Sequence, residues 1–267
     1  MAKNTSESAR LPAGDQRAHV LALLRSRKMA RSMHTYTRGT AERFYAWVAN
    51  RRPGALPDGP AVWICGDCHL GNLGPVAAKT GEVAVQIRDL DQSVIGNPAH
   101  DLLRLGFSLA TVARSSDLPG IITWRMIEAL VDGYEQAFDS RRREEISNVQ
   151  RPTAVKISMK AALHRSWRKL DRQTKLMPRD LKPEAERLSE DDAVKVARYL
   201  ALVVGRAHAT QMDGAAQRAW RAELRRQRPK TVDAPSWLWR SIIELMAAHE
   251  EAYLDHCRRH VLGKTVR

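Results

Sequence analysis

Three polar residues in the first third of the chain have the types and spacing that magnesium-dependent phosphate transfer requires. The stretch CGDCHLGN, residues 65–72, contains Asp67 and, five positions later, Asn72, and it follows the apolar run AVWIC. Asp89 follows a second apolar segment, EVAVQI. Phosphate transfer needs a carboxylate that orients the acceptor hydroxyl, a nearby oxygen ligand, and a second carboxylate through which Mg²⁺ bridges the phosphates. Asp67, Asn72 and Asp89 supply these three groups.

The order of the surrounding segments predicts how the three residues meet. A strand, a loop with Asp67 and Asn72, a hairpin, a second strand and Asp89 follow one another, so two loops can converge. We expect Asn72 and Asp89 to reach one Mg²⁺ ion, with Asp67 facing the acceptor hydroxyl. A single Asp or Asn in a glycine-containing loop is usually only a turn residue. It is the combination of Asp67, Asn72 and Asp89 at these spacings that indicates phosphate-transfer chemistry.

The same residues resemble motifs of the aminoglycoside phosphotransferase and choline kinase-like branch of the protein-kinase-like superfamily. Those proteins carry a loop of the form HGDxHxxN, and CGDCHLGN differs from it only at the first letter. They follow their metal-binding Asp with a segment of the form GDPxxDL. At the matching offsets after Asp89, this chain has Gly96, Asn97, Pro98 and Asp101-Leu102. The second half of the motif therefore supports the first.

A closer resemblance, covering most of the chain, is to the uncharacterised bacterial proteins of domain-of-unknown-function family 2252. It is carried by TYTRG, WICGDCHLGNLGP, IRDLDQSVIGNPAHDLLRLGFSLA and VVGRAHATQMD. The resemblance implies a kinase-like core in which Asp67 is the catalytic base. It also implies Asn72 and Asp89 as metal ligands assisted by Asp91, and Asp101 as a structural acid that holds the loop. Arg38 in TYTRG and His208 in GRAHA match family motifs without a role that the resemblance establishes. We assign Arg38 to cofactor binding, and His69 and His208 to structural support, as expectations of our own.

The donor side of the predicted site is less complete. Kinases cover the phosphates with a glycine-rich turn and pair them with a strand lysine. None of the fifteen glycines here forms GxGxxG, and the chain passes almost directly from HRSWRKL to LMPRDLK, where the resemblance implies an inserted lobe. Lys156 in TAVKIS is the candidate phosphate ligand, although its flanking sequence is typical of a helix. The expected cofactors are Mg²⁺ and ATP or another nucleoside triphosphate.

Three other patterns offer alternative chemistry. PRDLKPEA resembles a kinase catalytic loop around Asp180, but an alanine, Ala185, stands where a metal-binding Asn is required. His100-Asp101 forms a dyad that in another enzyme class binds two metals for phosphate-ester hydrolysis. Packing beside the Asp67 loop is the simpler interpretation of Cys65 and Cys68. The alternatives for these cysteines are the CxxCH haem string that they form with His69, and a zinc site shared with His256, Cys257 and His260.

The elements that must position the site follow from hydrophobic periodicity. Residues 1–15 are predicted to form a polar tail, and residues 16–267 a single kinase-like helical domain. Residues 60–92 form the β-containing region that carries the site, and residues 171–192 a polar connection where a nucleotide lobe would be inserted. Helices are predicted near residues 40–50, 98–115, 119–139, 152–170, 190–212 and 236–260. The expected fold class is α+β, mostly α-helical, resembling a protein-kinase C-lobe with a reduced or absent nucleotide lobe.

The net charge of the chain indicates which classes of partner it can attract. Forty-four basic and thirty acidic residues give a formal charge of +14, which attracts polyanions, phosphorylated metabolites or acidic partners. The basic residues are scattered over predicted helices, so nucleic-acid binding is not favoured, although the charge leaves it open. The sequence shows no signal peptide and no run of 18 uncharged apolar residues, which predicts a cytoplasmic protein without a membrane partner.

Two functions compete at this stage. The first is a magnesium-dependent phosphotransferase acting on a hydroxyl of an unidentified small-molecule or polyanionic substrate. The second is a catalytically inactive kinase-like remnant that serves as a binding or scaffold module. The intact set of Asp67, Asn72 and Asp89 favours chemistry, whereas the absent glycine-rich turn and strand lysine favour the remnant. A protein partner could supply the missing lobe.

Overall fold

Helices make up most of the protein. The computed structural model describes residues 14–77, 80, 82–139, 151–163, 189–226 and 235–262. The helices are α1 (Gly14–Met29), α2 (Met33–Arg38), α3 (Ala41–Ala49), α4 (Pro98–Ser115), α5 (Gly120–Gln136), α6 (Thr153–Leu163), α7 (Glu190–Ala209), α8 (Gly214–Arg226) and α9 (Ser236–His260). The strands are β1 (Val62–Ile64), β2 (Leu73–Ala77), β3 (Val83–Ile87) and β4 (Val94–Gly96), with a 3₁₀ helix at Leu70–Asn72. The predicted α+β, mostly helical class is confirmed.

Helix α4 is the centre of the fold, because it is buried on every side. Asn97 caps its first turn by accepting the N–H of Ala99 at 2.9 Å, and Pro98 follows the cap. All residues from Leu102 to Ala113 are buried, as expected for a helix that is surrounded by other elements. Its neighbours are α2, α5, α7, α9 and β1. Any polar side chain on α4 must therefore find its partners inside the protein.

Helices α5 and α7 pack closely together, and two glycines permit this approach. A Cβ atom on Gly133 of α5 would lie 2.0 Å from the carbonyl oxygen of Arg198 in α7. A Cβ atom on Gly205 of α7 would lie 2.8 Å from the Cβ atom of Ala137. Both distances are below van der Waals contact, so a larger residue at either position would push the helices apart.

Two antiparallel two-stranded sheets hold the predicted site between them. In one, β1 pairs with β4 and Ile64 lies opposite Val94; in the other, β2 pairs with β3 and Leu73 lies opposite Ile87. The loop between β1 and β2 and the loop between β3 and β4 therefore run side by side. Gln211, after α7, lines the outer edge of β1 by accepting the Trp63 N–H at 2.7 Å and donating to its carbonyl at 3.0 Å.

The predicted element boundaries agree best for the long helices. The segments at 98–115 and 236–260 coincide with α4 and α9, whereas α2, α8 and β4 were not among the predicted segments. Strand β2 was obscured by Gly74 and Pro75, and a proline is tolerated there because a two-stranded sheet consists only of edge strands. The tail up to residue 13 and the connection through residue 188, including Asp180, lie outside the described residues. Among the described helices, none combines the length and the apolar composition needed to cross a membrane.

The close packing of α5 on α7 predicts that a single methyl group added at Gly133 will destabilise the fold. We expect Gly133→Ala to lower the free energy of unfolding by about 1–3 kcal/mol, because its Cβ would overlap a backbone carbonyl that cannot rotate away. Urea denaturation followed by circular dichroism measures this change. Gly120→Ala is the matched control, since no atom lies within 4 Å of the added Cβ and the same residue type is introduced in the same helix. Equal stability of the two variants would contradict the packing argument.

Candidate functional site

The loop at residues 65–72 is fastened to the buried face of α4 by three polar side chains. Both carboxylate oxygens of Asp101 accept backbone N–H groups, from Cys65 at 2.7 Å and from Gly66 at 3.1 Å. Arg104 binds the Asp67 side chain, and the Ser108 hydroxyl accepts the N–H of Leu70 at 3.1 Å. Asp101, Arg104 and Ser108 are spaced i, i+3 and i+7, so they share one face of the helix. The loop is therefore held along its length by a single helical face.

Gly66 allows the loop to approach its neighbour. Its φ of +78° lies in the left-handed region, and a Cβ atom there would lie 2.1 Å from the carbonyl oxygen of Gln92. The Tyr45 hydroxyl donates to the carbonyl oxygen of Gly66 from the other side. The two loops can lie side by side because this position has no side chain.

Asp67 is a partly buried carboxylate with two cationic or polar neighbours. The Arg104 guanidinium donates to Asp67 Oδ1 from Nε at 3.1 Å and from Nη2 at 3.0 Å, and His69 Nε2 lies 3.4 Å from Oδ2. Burial by itself raises the pKa of Asp67, but the hydrogen bond from His69 and the charge of Arg104 outweigh it, so the pKa lies below its ordinary value. Asp67 is therefore held as an anion.

The Asn72 side chain joins the two loops. Its Nδ2 donates to the carbonyl oxygen of Asp89 at 2.8 Å and lies 3.4 Å from the carbonyl oxygen of Asp67. Its Oδ1 accepts the N–H of Asp89 at 2.7 Å. In the turn that follows, Asp89 Oδ1 accepts the N–H of Asp91 at 3.1 Å, and both aspartates are exposed. The structure thus brings together Asp67, Asn72, Asp89 and Asp91.

The exposed turn suits a hard cation better than the buried loop does. Mg²⁺ usually takes one or two carboxylates from the protein and completes its shell with water and phosphate oxygens. Asp89 and Asp91 offer two exposed carboxylates in one turn, and Asn72 Oδ1, which accepts the Asp89 N–H, keeps a second lone pair. In the described part of the chain, no group of three or more His, Cys, Asp and Glu residues is arranged to hold a metal. The residues fit a magnesium ion that also binds phosphate, and they do not form a closed structural metal site.

A buried chain of hydrogen bonds connects Asp101 to the helical core. His208 Nε2 lies 3.2 Å from Asp101 Oδ2, and its Nδ1 lies 2.9 Å from the Tyr134 hydroxyl. The indole N–H of Trp220 donates to the same hydroxyl at 3.2 Å. Because an indole can only donate, the Tyr134 O–H points to His208 Nδ1, and His208 donates from Nε2 to Asp101. Burial raises the pKa of Tyr134 far above its ordinary value, so this hydroxyl keeps its proton.

Two arginines lie on the glycines of the loop. The Arg38 guanidinium rests against Gly71, and Arg88 Nη2 donates to the carbonyl oxygen of Gly71. Arg88 also lies over Gly74. Of these two, Arg38 is a predicted site residue, and Arg88 was missed together with Arg104 and Ser108. The spacing of Asp101, Arg104 and Ser108 in an otherwise apolar helix is the signal that would have identified the last two.

The remaining candidates lie elsewhere. Lys156 is exposed on α6, a helix that packs against β2 and β3, and it does not lie in a strand as a kinase lysine does. The predicted zinc alternative is not assembled, because Cys257 donates to the carbonyl oxygen of Ala30 on another part of the fold, 3.7 Å away. Cys65 and Cys68, within the loop itself, are buried free thiols. His100 contacts the Tyr45 ring with its edge, and burial lowers its pKa.

Most of the chain matches one family of proteins. A family model described as an uncharacterised protein conserved in bacteria, DUF2252, matches residues 17–176 and 171–259. The two matches meet at residues 171–176, inside the polar connection. No curated protein and no solved structure matches the chain.

The buried hydrogen-bond chain predicts the effect of removing its central hydroxyl. Tyr134→Phe leaves the Trp220 N–H and His208 Nδ1 without their common partner, so we expect the free energy of unfolding to fall by about 1–3 kcal/mol. Urea denaturation measures the loss. Tyr199→Phe, a half-buried tyrosine on α7, is the control and should change stability by less than about 0.5 kcal/mol. A Tyr134→Phe protein as stable as the control would show that the buried hydrogen bonds of Tyr134 contribute nothing to the free energy of unfolding.

The environment of Asp67 predicts a pH dependence with a definite sign. Because its folded pKa lies below the ordinary value of about 3.9, the ionised form favours folding. This stability is present above the unfolded pKa and is lost as the pH falls through the folded pKa. An NMR titration of the side-chain carboxyl carbon should give a midpoint for Asp67 below the ordinary value of about 3.9, and His69→Gln should raise that midpoint. An Asp67 midpoint at or above about 3.9 would refute this assignment.

Proposed function

We propose that this chain, which belongs to the DUF2252 family of proteins conserved in bacteria, is a magnesium-dependent phosphotransferase. It would transfer the terminal phosphate of ATP, or of another nucleoside triphosphate, to a hydroxyl of a small molecule. In this proposal the helical part corresponds to the C-lobe of the protein-kinase-like superfamily. The nucleotide lobe is reduced, in keeping with the division of the family match into two segments that overlap at residues 171–176.

One set of contacts carries the proposal. The Asn72 amide bonds both backbone groups of Asp89 and lies beside the carbonyl oxygen of Asp67, so it ties two carboxylate-bearing residues from different loops together. Kinase-like chemistry requires one carboxylate at the acceptor hydroxyl and another at the metal, at a fixed separation. A buried amide that links their backbones supports such a separation.

Asp67 is the residue assigned to the acceptor. Arg104 donates twice to its Oδ1, and His69 Nε2 lies 3.4 Å from its Oδ2, so an acceptor hydroxyl would donate to the remaining lone pair of Oδ2. As the acceptor oxygen forms its bond to phosphorus and the donor's P–O bond breaks, the hydroxyl proton passes to Asp67. A carboxylate with a lowered pKa is a weak base. It is sufficient here because phosphoryl transfer depends mainly on positioning and charge stabilisation.

Asp89 and Asp91 are the residues that would hold Mg²⁺, with the Asn72 Oδ1 beside them. Held by these residues, Mg²⁺ would supply positive charge that neutralises the phosphate oxygens. The chain's own contribution is to fix the turn: Asn72 holds the Asp89 backbone, and the Asp91 N–H orients the Asp89 carboxylate.

A binding or scaffold function without catalysis is the second candidate. It is favoured by Lys156, which is exposed on a helix, and by the strands within the described ranges, which form two two-stranded sheets. Neither feature supplies the glycine-rich turn and strand lysine that cover a nucleotide in kinases. A protein partner that provides the missing lobe would reconcile this observation with the first candidate.

The two candidates are separated by nucleotide binding and turnover. For the phosphotransferase, we expect ATP with Mg²⁺ to raise the midpoint of thermal unfolding, and the chain to transfer ³²P from labelled ATP to a hydroxyl compound in a metabolite mixture. Asp89→Asn should abolish the Mg²⁺-dependent part of the shift without loss of folding, because the side chain is exposed. Asp67→Asn should bind nucleotide but lower transfer by roughly 10²-fold or more.

The control for these variants is Asp117→Asn. It makes the same chemical change at an exposed position whose φ of 53° asparagine tolerates well. This variant should retain both nucleotide stabilisation and transfer. The absence of any Mg²⁺-dependent nucleotide stabilisation in the native chain would leave only the scaffold candidate.

A further inference from the structure

A cavity of about 420 Å³ lies where the C-terminal ends of α1 and α9 meet. The residues that line this α1–α9 cavity are Arg27, Ala30, Arg31, His260 and Val261. Its volume is within the range of pockets that bind small molecules, roughly 300–1,000 Å³. Asp67, Asn72 and Asp89 do not line it. The cavity is therefore separate from the candidate functional site.

Side chains of α9 form one wall of the cavity by binding carbonyl groups at the end of α1. His256 Nε2 lies 2.9 Å from the carbonyl oxygen of Ser26, and the Tyr253 hydroxyl donates at 3.1 Å to that of Ala30. The Cys257 thiol lies 3.7 Å from the same Ala30 oxygen. Carbonyl groups at the C-terminal end of a helix attract cations. Because these two carbonyl groups already have partners, they do not account for the cations that line the cavity.

The cations of the cavity lack a neighbouring counter-charge. Within the ranges that the structure describes, the side chains of Arg27 and Arg31 form no hydrogen bond and no ion pair. The acidic residue closest in sequence to His260 on α9 is Asp255, and its carboxylate is paired with Arg259. Positive charges that gather in this way repel one another and create a local potential that attracts anions. The composition of the cavity therefore indicates an anionic ligand.

The geometry of these side chains suits a phosphate group. Arg31 follows Arg27 by four positions, about one helical turn, so the two arginines lie on the same side of the chain. A guanidinium group can bind two oxygens of one phosphate through parallel hydrogen bonds. His260 adds a ring nitrogen, and its ring is held in place by packing on His256, with the ring centroids 4.5 Å apart.

We infer that Arg27, Arg31 and His260 form a second binding site of this protein, which takes the phosphate group of a soluble molecule or of a lipid headgroup. The inference does not rest on the proposed function. The site requires neither Mg²⁺ nor turnover, and it shares no residue with the phosphotransferase proposal.

Binding of inorganic pyrophosphate to the full chain tests the site. Isothermal titration calorimetry without Mg²⁺ should show saturable binding that is about tenfold weaker in Arg27→Gln and in Arg31→Gln, because each change removes a charged hydrogen-bond donor. Arg17→Gln is the charge-matched control, since Arg17 is exposed near the other end of α1 and does not line the cavity. An equal loss in Arg17→Gln would mean that only net charge attracts the anion, and it would overturn the inference.

A variant that moves a charge tests position at constant net charge. Arg27→Gln combined with Ala22→Arg restores the charge at an exposed position of α1 outside the cavity. Pyrophosphate binding should remain about tenfold weaker than in the native chain. Both positions are exposed, so the variant should fold, and its thermal unfolding midpoint checks this. Native affinity in the double variant refutes the site.

Vesicles distinguish the two sources of the phosphate group. If it belongs to a lipid, phosphatidylcholine vesicles that contain phosphatidic acid should capture the native chain in a flotation assay and should not capture Arg27→Gln or Arg31→Gln. If it belongs to a soluble molecule, the chain should bind pyrophosphate and remain unbound to these vesicles. A native chain that binds neither pyrophosphate nor the vesicles would overturn the inference, whatever the result of the phosphate-transfer assay.

Discussion

The buried carboxylate of Asp101 is the constraint on which the rest of the structure depends. Its side chain has no exposed surface, and a carboxylate in that position is tolerated only when its oxygens are fully hydrogen-bonded. The two backbone N–H groups at the start of the CGDCHLGN loop and the His208 ring provide these bonds. The path of the loop is therefore determined more by the hydrogen bonds that Asp101 of α4 requires than by the loop's own side chains.

This requirement reaches helices that are distant in sequence. His208 on α7 can satisfy Asp101 only in one tautomer, and Tyr134 on α5 selects that tautomer with help from Trp220 on α8. The close approach of α5 and α7, which Gly133 permits, sets the distance between Tyr134 and His208. A change in core packing would thus alter the hydrogen bonds that hold the loop. Conversely, movement of the loop would leave the buried Asp101 carboxylate without the two backbone N–H groups that donate to it.

The sequence predicts the local part of the site better than the groups that hold it. The CGDCHLGN loop and Asp89 are joined by a short hairpin, so their proximity follows from spacing alone. Arg104 could not be recognised from its type, because most arginines on helices are exposed. Only its position between Asp101 and Ser108, on one face of an otherwise apolar helix, reveals that it is buried. Strand β4 is unpredictable for a different reason: its three residues are extended because β1 pairs with them.

The two loops are held in different ways, and this difference determines what each can contribute to a site. Asp67 is paired with Arg104 inside the protein, so its position is fixed and its charge is already balanced. Asp89 and Asp91 are exposed and lie in one turn, where the Asp91 N–H donates to the Asp89 carboxylate. Under the proposed function, the buried loop would position a neutral hydroxyl and the exposed turn would bind an ion. Asn72 contacts the backbone of both Asp67 and Asp89, and it would hold these two residues at a constant separation.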